Sequence, residues 1–116
     1  MEIKIVKKSM SREELLSIAR EGFGDVVKAV VDVEQGIMAV GGEFHADEEV
    51  LLMEQEGSKR EHTWGVILYP KERGDGFVEF DSMVNLKPSF GNRSRSIQDS
   101  QTQKSIRNIV ERLVTR

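Results

Sequence analysis

The chain has 116 residues, of which 38% are hydrophobic and 32% charged, with two Pro. This is the composition of a single soluble globular domain, and no apolar run approaches the ~18 residues that span a bilayer. The net charge of -3 is unevenly spread, since residues 1–90 carry 11 basic and 18 acidic side chains while residues 91–116 carry 6 basic and 2 acidic. A positive tail therefore follows an acidic body, and it meets either an external anion or that body.

The absence of Cys excludes disulfide scaffolds, thiolate zinc sites, iron–sulfur ligation and a Cys nucleophile. Two His cannot build a three-His metal site, so no metal is expected, and no motif names a cofactor. Met1-Glu2-Ile3-Lys4-Ile5-Val6-Lys7-Lys8 lacks the apolar stretch of a signal peptide and reads as a first strand around Ile3–Lys7. The expected location is the cytoplasm. No repeat or linker divides residues 1–116, which form one domain.

Ser11-Arg12-Glu13-Glu14 matches a capping box and starts a helix, with Leu15, Ile18, Ala19 and Gly22 on one face and Gly22-Phe23-Gly24 as its stop. Val27 to Gly42 reads as a β-hairpin closed by Gln35-Gly36, which would set Val33 opposite Met38 and Val31 opposite Val40. Ala46 to Gln55 predicts a short amphipathic helix ending near Gly57, its acidic run forming a solvated face. A second hairpin follows, from Thr63–Pro70 through Arg73-Gly74-Asp75-Gly76 to a strand over Phe77–Leu86. Asp99 is the N-cap of a closing helix with a buried stripe of Ile106, Ile109, Val110 and Leu113. The order β-α-β-β-α-β-β-α predicts an α+β fold in which two antiparallel hairpins and an N-terminal strand form one sheet, packed by helices gathered on one face.

Three groups of residues carry possible chemistry. In Gly41-Gly42-Glu43-Phe44-His45-Ala46-Asp47 the alternation of Glu43, His45 and Asp47 would place all three on one side of an extended chain, as a metal set or a base with an orienting carboxylate. The alternative is structural, with Asp47 capping the next helix and His45 at a strand end. Asp32 and Glu34 on one hairpin and Glu79, Asp81 and Asn85 on the other form a polar sheet face, either a pair of carboxylates with a raised pKa or simply a solvated surface. Gly91-Asn92-Arg93-Ser94-Arg95-Ser96, ahead of the Asp99 helix, combines small residues with two guanidinium forks, the components of an anion site. Arg93 and Arg95 could equally pair with acids of the body. Trp64, Tyr69, Phe77, Phe80 and Phe90 are spaced as core residues and do not interleave with Lys and Arg, so nucleic acid is not expected as a main partner.

Val30-Val31-Asp32-Val33-Glu34, the Gly41–Asp47 stretch, Gly57-Ser58, Trp64-Gly65 with Tyr69-Pro70, Phe80-Asp81-Ser82, Asn85-Leu86-Lys87-Pro88 and Asn92-Arg93-Ser94-Arg95 resemble a family of small prokaryotic proteins known only as a domain of unknown function. The resemblance covers nearly the whole chain and implies a soluble cytoplasmic protein, without an activity, cofactor or partner. The leading expectation is a binding module for an anionic ligand, such as a phosphorylated metabolite, a nucleotide or a nucleic-acid end, held by Asn92, Arg93 and Arg95. The alternatives are a hydrolase or transferase using His45 with Glu43, Asp47 or Asp81, and an interaction protein that forms a homodimer through an exposed sheet edge or a helical face.

Overall fold

Strand β3 (Val27–Asp32) is buried along its whole length except at Lys28, and the computed structural model, which describes residues 1–116, is built outward from it. On one side β3 pairs with β4 (Ile37–Val40), which pairs with β1 (Lys4–Val6); on the other it pairs with β5 (Thr63–Leu68), flanked by the two-residue β6 (Val78–Glu79). All four pairings of this five-stranded sheet are antiparallel. With the helices α1 (Arg12–Glu21), α2 (His45–Glu56) and α3 (Ser100–Leu113) it makes the α+β fold that the order of elements predicts. No helix is long and apolar enough to cross a membrane.

The helices divide between the two faces. Leu15 and Ala19 of α1 and Ile106, Val110 and Leu113 of α3 pack on Ala29, Val31, Met38, Val40, Val66 and Leu68. Leu52 of α2 packs on Val30, Ile37 and Ala39 on the other side. The expectation of helices on a single face fails because β3 and β4 are apolar on both faces, and the second apolar face also has to be covered. Two further strands, β2 (Met10–Ser11) and β7 (Val114–Thr115), pair in parallel and tie the end of α3 to the start of α1.

Local signals place most ends. Ser11 and Glu14 form the full capping box, Asp99 accepts the Thr102 N–H, and Gly57 closes α2 in the left-handed conformation. The hairpin register differs from expectation by two residues: Val31 faces Met38 and Asp32 faces Ile37. The loop is therefore Val33–Gly36. Asp32 Oδ1 accepts the N–H groups of Glu34 and Gln35 at 2.9 and 3.1 Å, and Gly36 adopts φ 69°. Because the shift is even, it leaves every side chain on its expected face.

The strand expected over Phe77–Leu86 stops at Glu79, and a turn at Met83–Asn85 follows. Beyond β6 the pairing edge of β5 is taken by a side chain. Asn85 Oδ1 accepts the Gly65 N–H at 2.8 Å and its Nδ2 donates to the Gly65 carbonyl at 2.9 Å, as a neighbouring strand would. Gly65 is required there, since a Cβ would lie 2.5 Å from Ser82 Cβ and Oγ. Phe90, expected in the core, is exposed.

Candidate functional site

The inward face of α2 is polar. His45, Glu48, Glu49 and Leu52 are its buried residues, whereas Val50 and Met53 are exposed, so the acidic run expected to face solvent turns partly inward. Each buried polar group needs a partner. Glu49 takes the Arg60 guanidinium at 3.0 Å and the Thr63 hydroxyl at 2.6 Å. Arg60 also donates to the Val84 and Leu86 carbonyls. Lys87, buried beside the Trp64 ring at 4.2 Å, donates to the carbonyls of Arg60 and Thr63, and burial pushes its pKa down to about 8. This network fixes the Val84–Lys87 segment against α2.

Val84, at the start of the fixed segment, ends one wall of a cleft of about 230 Å³. Lys28 and Ile67, paired across β3 and β5, form its floor; Phe44, His45 and Ala46 form one wall, Asp81–Val84 the other, and Arg95 the rim. His45 Nε2 lies 2.8 Å from the Val66 carbonyl. A ring nitrogen facing a carbonyl must carry the hydrogen, so the neutral ring keeps an Nδ1 lone pair that has no partner in the chain. Burial first, then the positive charges of Lys28 and Arg95, lower the His45 pKa, opposed by the Val66 carbonyl and Asp81. At neutral pH the ring is uncharged.

Around His45 the charges are arranged asymmetrically. Arg95 Nε meets Asp81 Oδ1 at 2.9 Å in a half-exposed ion pair, while the Arg95 carbonyl is anchored by the Ser82 N–H and Asn85 Nδ2. The other guanidinium nitrogens make no bond. Lys28 Nζ donates to the Glu43 carbonyl at 3.0 Å and stands 5.0 and 5.6 Å from the rings of Phe23 and Phe44. Both rings are about half exposed, and Met83, which lines the cleft with Phe44, is exposed. The site thus joins two cations, a neutral base and an apolar rim.

Of the residues singled out by sequence, His45, Asp81 and Arg95 share this cleft. Glu43 and Asp47 do not join His45. The extended chain ends at Phe44, helix α2 begins at His45, and the three side chains diverge, Glu43 and Asp47 being exposed. No group of three His, Asp or Glu side chains lies close enough to hold a metal. Asp47 is not the cap either, because the N-cap residue of α2 is Phe44. Asn92 is buried and self-contained: Nδ2 donates to the carbonyls of Asn85, Ser94 and Ser96, and Oδ1 accepts the Gln98 N–H. It shapes the loop and has no donor left for a ligand. Arg93 is exposed outside the cleft, with its backbone N–H on Gln98.

The polar sheet face disperses. Asp32 clamps the hairpin loop, Glu34 is exposed, Glu79 accepts the Tyr69 hydroxyl at 2.7 Å, and Asn85 pairs with Gly65. Within the basic tail only Arg95 pairs with a carboxylate; Arg107 and Arg112 donate to the carbonyls of Asp75 and Gly36. Lys28, Phe44 and Met83 were missed. Lys28 had a signal, as the one basic residue in a central strand whose other residues are apolar up to Asp32; the other two had none beyond local hydrophobicity.

Neither a curated protein nor a solved structure matches the chain. A family model described as a protein of unknown function, DUF5674, matches residues 4–113, and the chain belongs to that family.

Proposed function

We propose that the chain is a small cytoplasmic protein that binds an organic anion, a phosphate-bearing metabolite or nucleotide, in the cleft between α2 and the Asp81–Arg95 segment. The observation that carries this reading is the convergence of Lys28, His45 and Arg95 on one apolar-rimmed cleft. Arg95 offers guanidinium nitrogens that Asp81 leaves free, Lys28 adds a point charge, and Phe44 and Met83 supply surface for the uncharged part of the ligand. The expectation of an anion site at Asn92 and Arg93 moves with Arg95 to this cleft. A thermal-shift screen of nucleotides and phosphorylated metabolites tests it. Wild type should be stabilised by at least one such ligand, Arg93→Gln should respond as wild type does, and Lys28→Gln with Arg95→Gln should lose the response to at least one ligand that stabilises wild type, with little change in the ligand-free midpoint. No stabilisation of wild type by any of them overturns the reading.

A hydrolase or transferase reading is favoured by a separate observation. With Nε2–H held by the Val66 carbonyl, His45 has one fixed tautomer and a free Nδ1 lone pair, the arrangement of an oriented general base. His45→Gln would then abolish turnover of a cleft-bound phosphate or carboxylate ester while leaving its affinity within about threefold.

A further inference from the structure

The parallel pairing of β2 with β7 has an electrostatic consequence. The register sets Ser11 beside Thr115, so the next residues along, Arg12 and Arg116, emerge side by side. Arg73, from the connection between β5 and β6, reaches the same recess of about 320 Å³, which Gly74, Phe77, Glu111 and Val114 complete. None of the three guanidinium groups lies within ion-pair distance of a carboxylate, and Glu111 is the one acid lining the recess. Three like charges gathered with one acid beside them, and that acid out of ion-pair distance, repel one another. Burial, and after it the charges of Arg73 and Arg116, lower the Arg12 pKa.

Arg12 itself is held rigidly. One terminal nitrogen donates to the Pro70 carbonyl at 2.7 Å and, more weakly, to the Glu72 carbonyl at 3.3 Å, and the guanidinium stacks 4.3 Å over the Phe77 ring. Its Nε is buried without an acceptor. A guanidinium fixed on an aromatic face, whose second terminal nitrogen makes no hydrogen bond, with two further guanidinium groups lining the same recess, is preorganised for an oxyanion. We propose that Arg12, Arg73 and Arg116 form a second anion site, for the phosphoryl or pyrophosphoryl group of a small molecule. It shares no residue with the cleft at His45. Duplex nucleic acid is disfavoured by the acidic body around it, with 18 acidic and 11 basic side chains over residues 1–90.

The test uses inorganic phosphate and pyrophosphate as probes of the free anion, and a phosphomonoester such as glycerol phosphate as probe of a phosphoryl group carried on a metabolite. Binding is read by calorimetry and by thermal shift, on wild type, on Arg73→Gln with Arg116→Gln, and on Lys28→Gln with Arg95→Gln. Arg12 is left in place because it supports the Pro70–Phe77 segment. The tail pair should weaken binding of at least one probe about tenfold or more per Arg removed. It should also leave the ligand-free midpoint unchanged or raise it at low salt, because it relieves repulsion. The cleft pair should keep this binding. Affinity unchanged in the tail pair, or a ligand-free midpoint that falls, overturns the proposal. Loss of phosphate binding in the cleft pair alone also overturns it, while supporting the cleft reading.

Discussion

Glu48 is the most exposed test of the energetics described above, because it is a carboxyl with no solvent access and no cation in contact. Oε2 accepts the Gly42 N–H at 2.9 Å and Oε1 has no partner. Burial raises its pKa to about 9, against opposing contributions from the Gly42 N–H and Lys28 and a smaller reinforcing one from Asp47. The unfolded chain holds the same carboxyl near the ordinary value of 4.5. Between those two values the native state binds the proton that the unfolded state has lost, so stability falls as pH rises. The contribution is complete below about pH 4.5 and gone above about pH 9. At about 1.4 kcal/mol per pH unit, moving from pH 5 to pH 8 should cost wild type about 4 kcal/mol through this one group. Glu48→Gln keeps a carbonyl for Gly42 and removes the titration. The variant leaves amide hydrogens unsatisfied, a cost independent of pH, so the measurement is a difference of differences. Urea unfolding of both proteins at pH 5, 6, 7 and 8 gives it directly, and contributions from His45 and Lys87 cancel in the comparison. The variant should gain on wild type steadily across the series. Parallel stability profiles would refute the burial of a neutral acid at position 48.

Two further outcomes check the architecture. Asn85→Ala leaves the Gly65 N–H and carbonyl without their edge partner and frees the Arg95 carbonyl, so it should cost about 2 to 4 kcal/mol in chemical denaturation and weaken anion binding at the cleft. Truncation after Gln98 removes Ile106, Val110 and Leu113 from one face of the sheet together with β7, and circular dichroism should show an unfolded chain; a native spectrum with a cooperative melt would contradict their place in the core.

What the sequence made legible was whatever is decided within a few residues. Ser11 with Glu14, Asp99 with Thr102, and the stop at Gly57 are bonds or conformations closed inside one helical turn, and the structure places all of them as the residue types dictate. The hairpin was legible to within a register of two, because Gly36 marks a turn but the choice between a two-residue and a four-residue loop depends on Asp32 bonding to Glu34 and Gln35. The strand expected at Phe77–Leu86 was misread for a different reason. Its alternation continues past Glu79, but the ladder position at Gly65 is already filled by the amide of Asn85. Periodicity records which residues are apolar and does not record which backbone edge is free.

Helix α2 shows where that limit produces the site. Its apolar residues Val50, Leu51 and Met53 define no clean stripe, and the orientation adopted buries His45, Glu48 and Glu49 with Leu52. No local rule selects this face, since the partner of each polar group comes from elsewhere in the chain: Val66 for His45, Gly42 for one oxygen of Glu48, and Arg60 and Thr63 for Glu49. Such a face is costly compared with an apolar one. It has a geometric effect that an apolar face would lack. Arg60 holds both Glu49 and the carbonyls of Val84 and Leu86, so the same bonds that bury the helix also fix the wall opposite His45. Glu48, kept neutral, leaves the positive charge of Lys28 uncancelled at the floor of the cleft. Ionising that carboxyl would oppose an incoming anion. A pH high enough to ionise Glu48 would therefore act twice, lowering the stability of the fold and weakening the attraction of Lys28 for an anion.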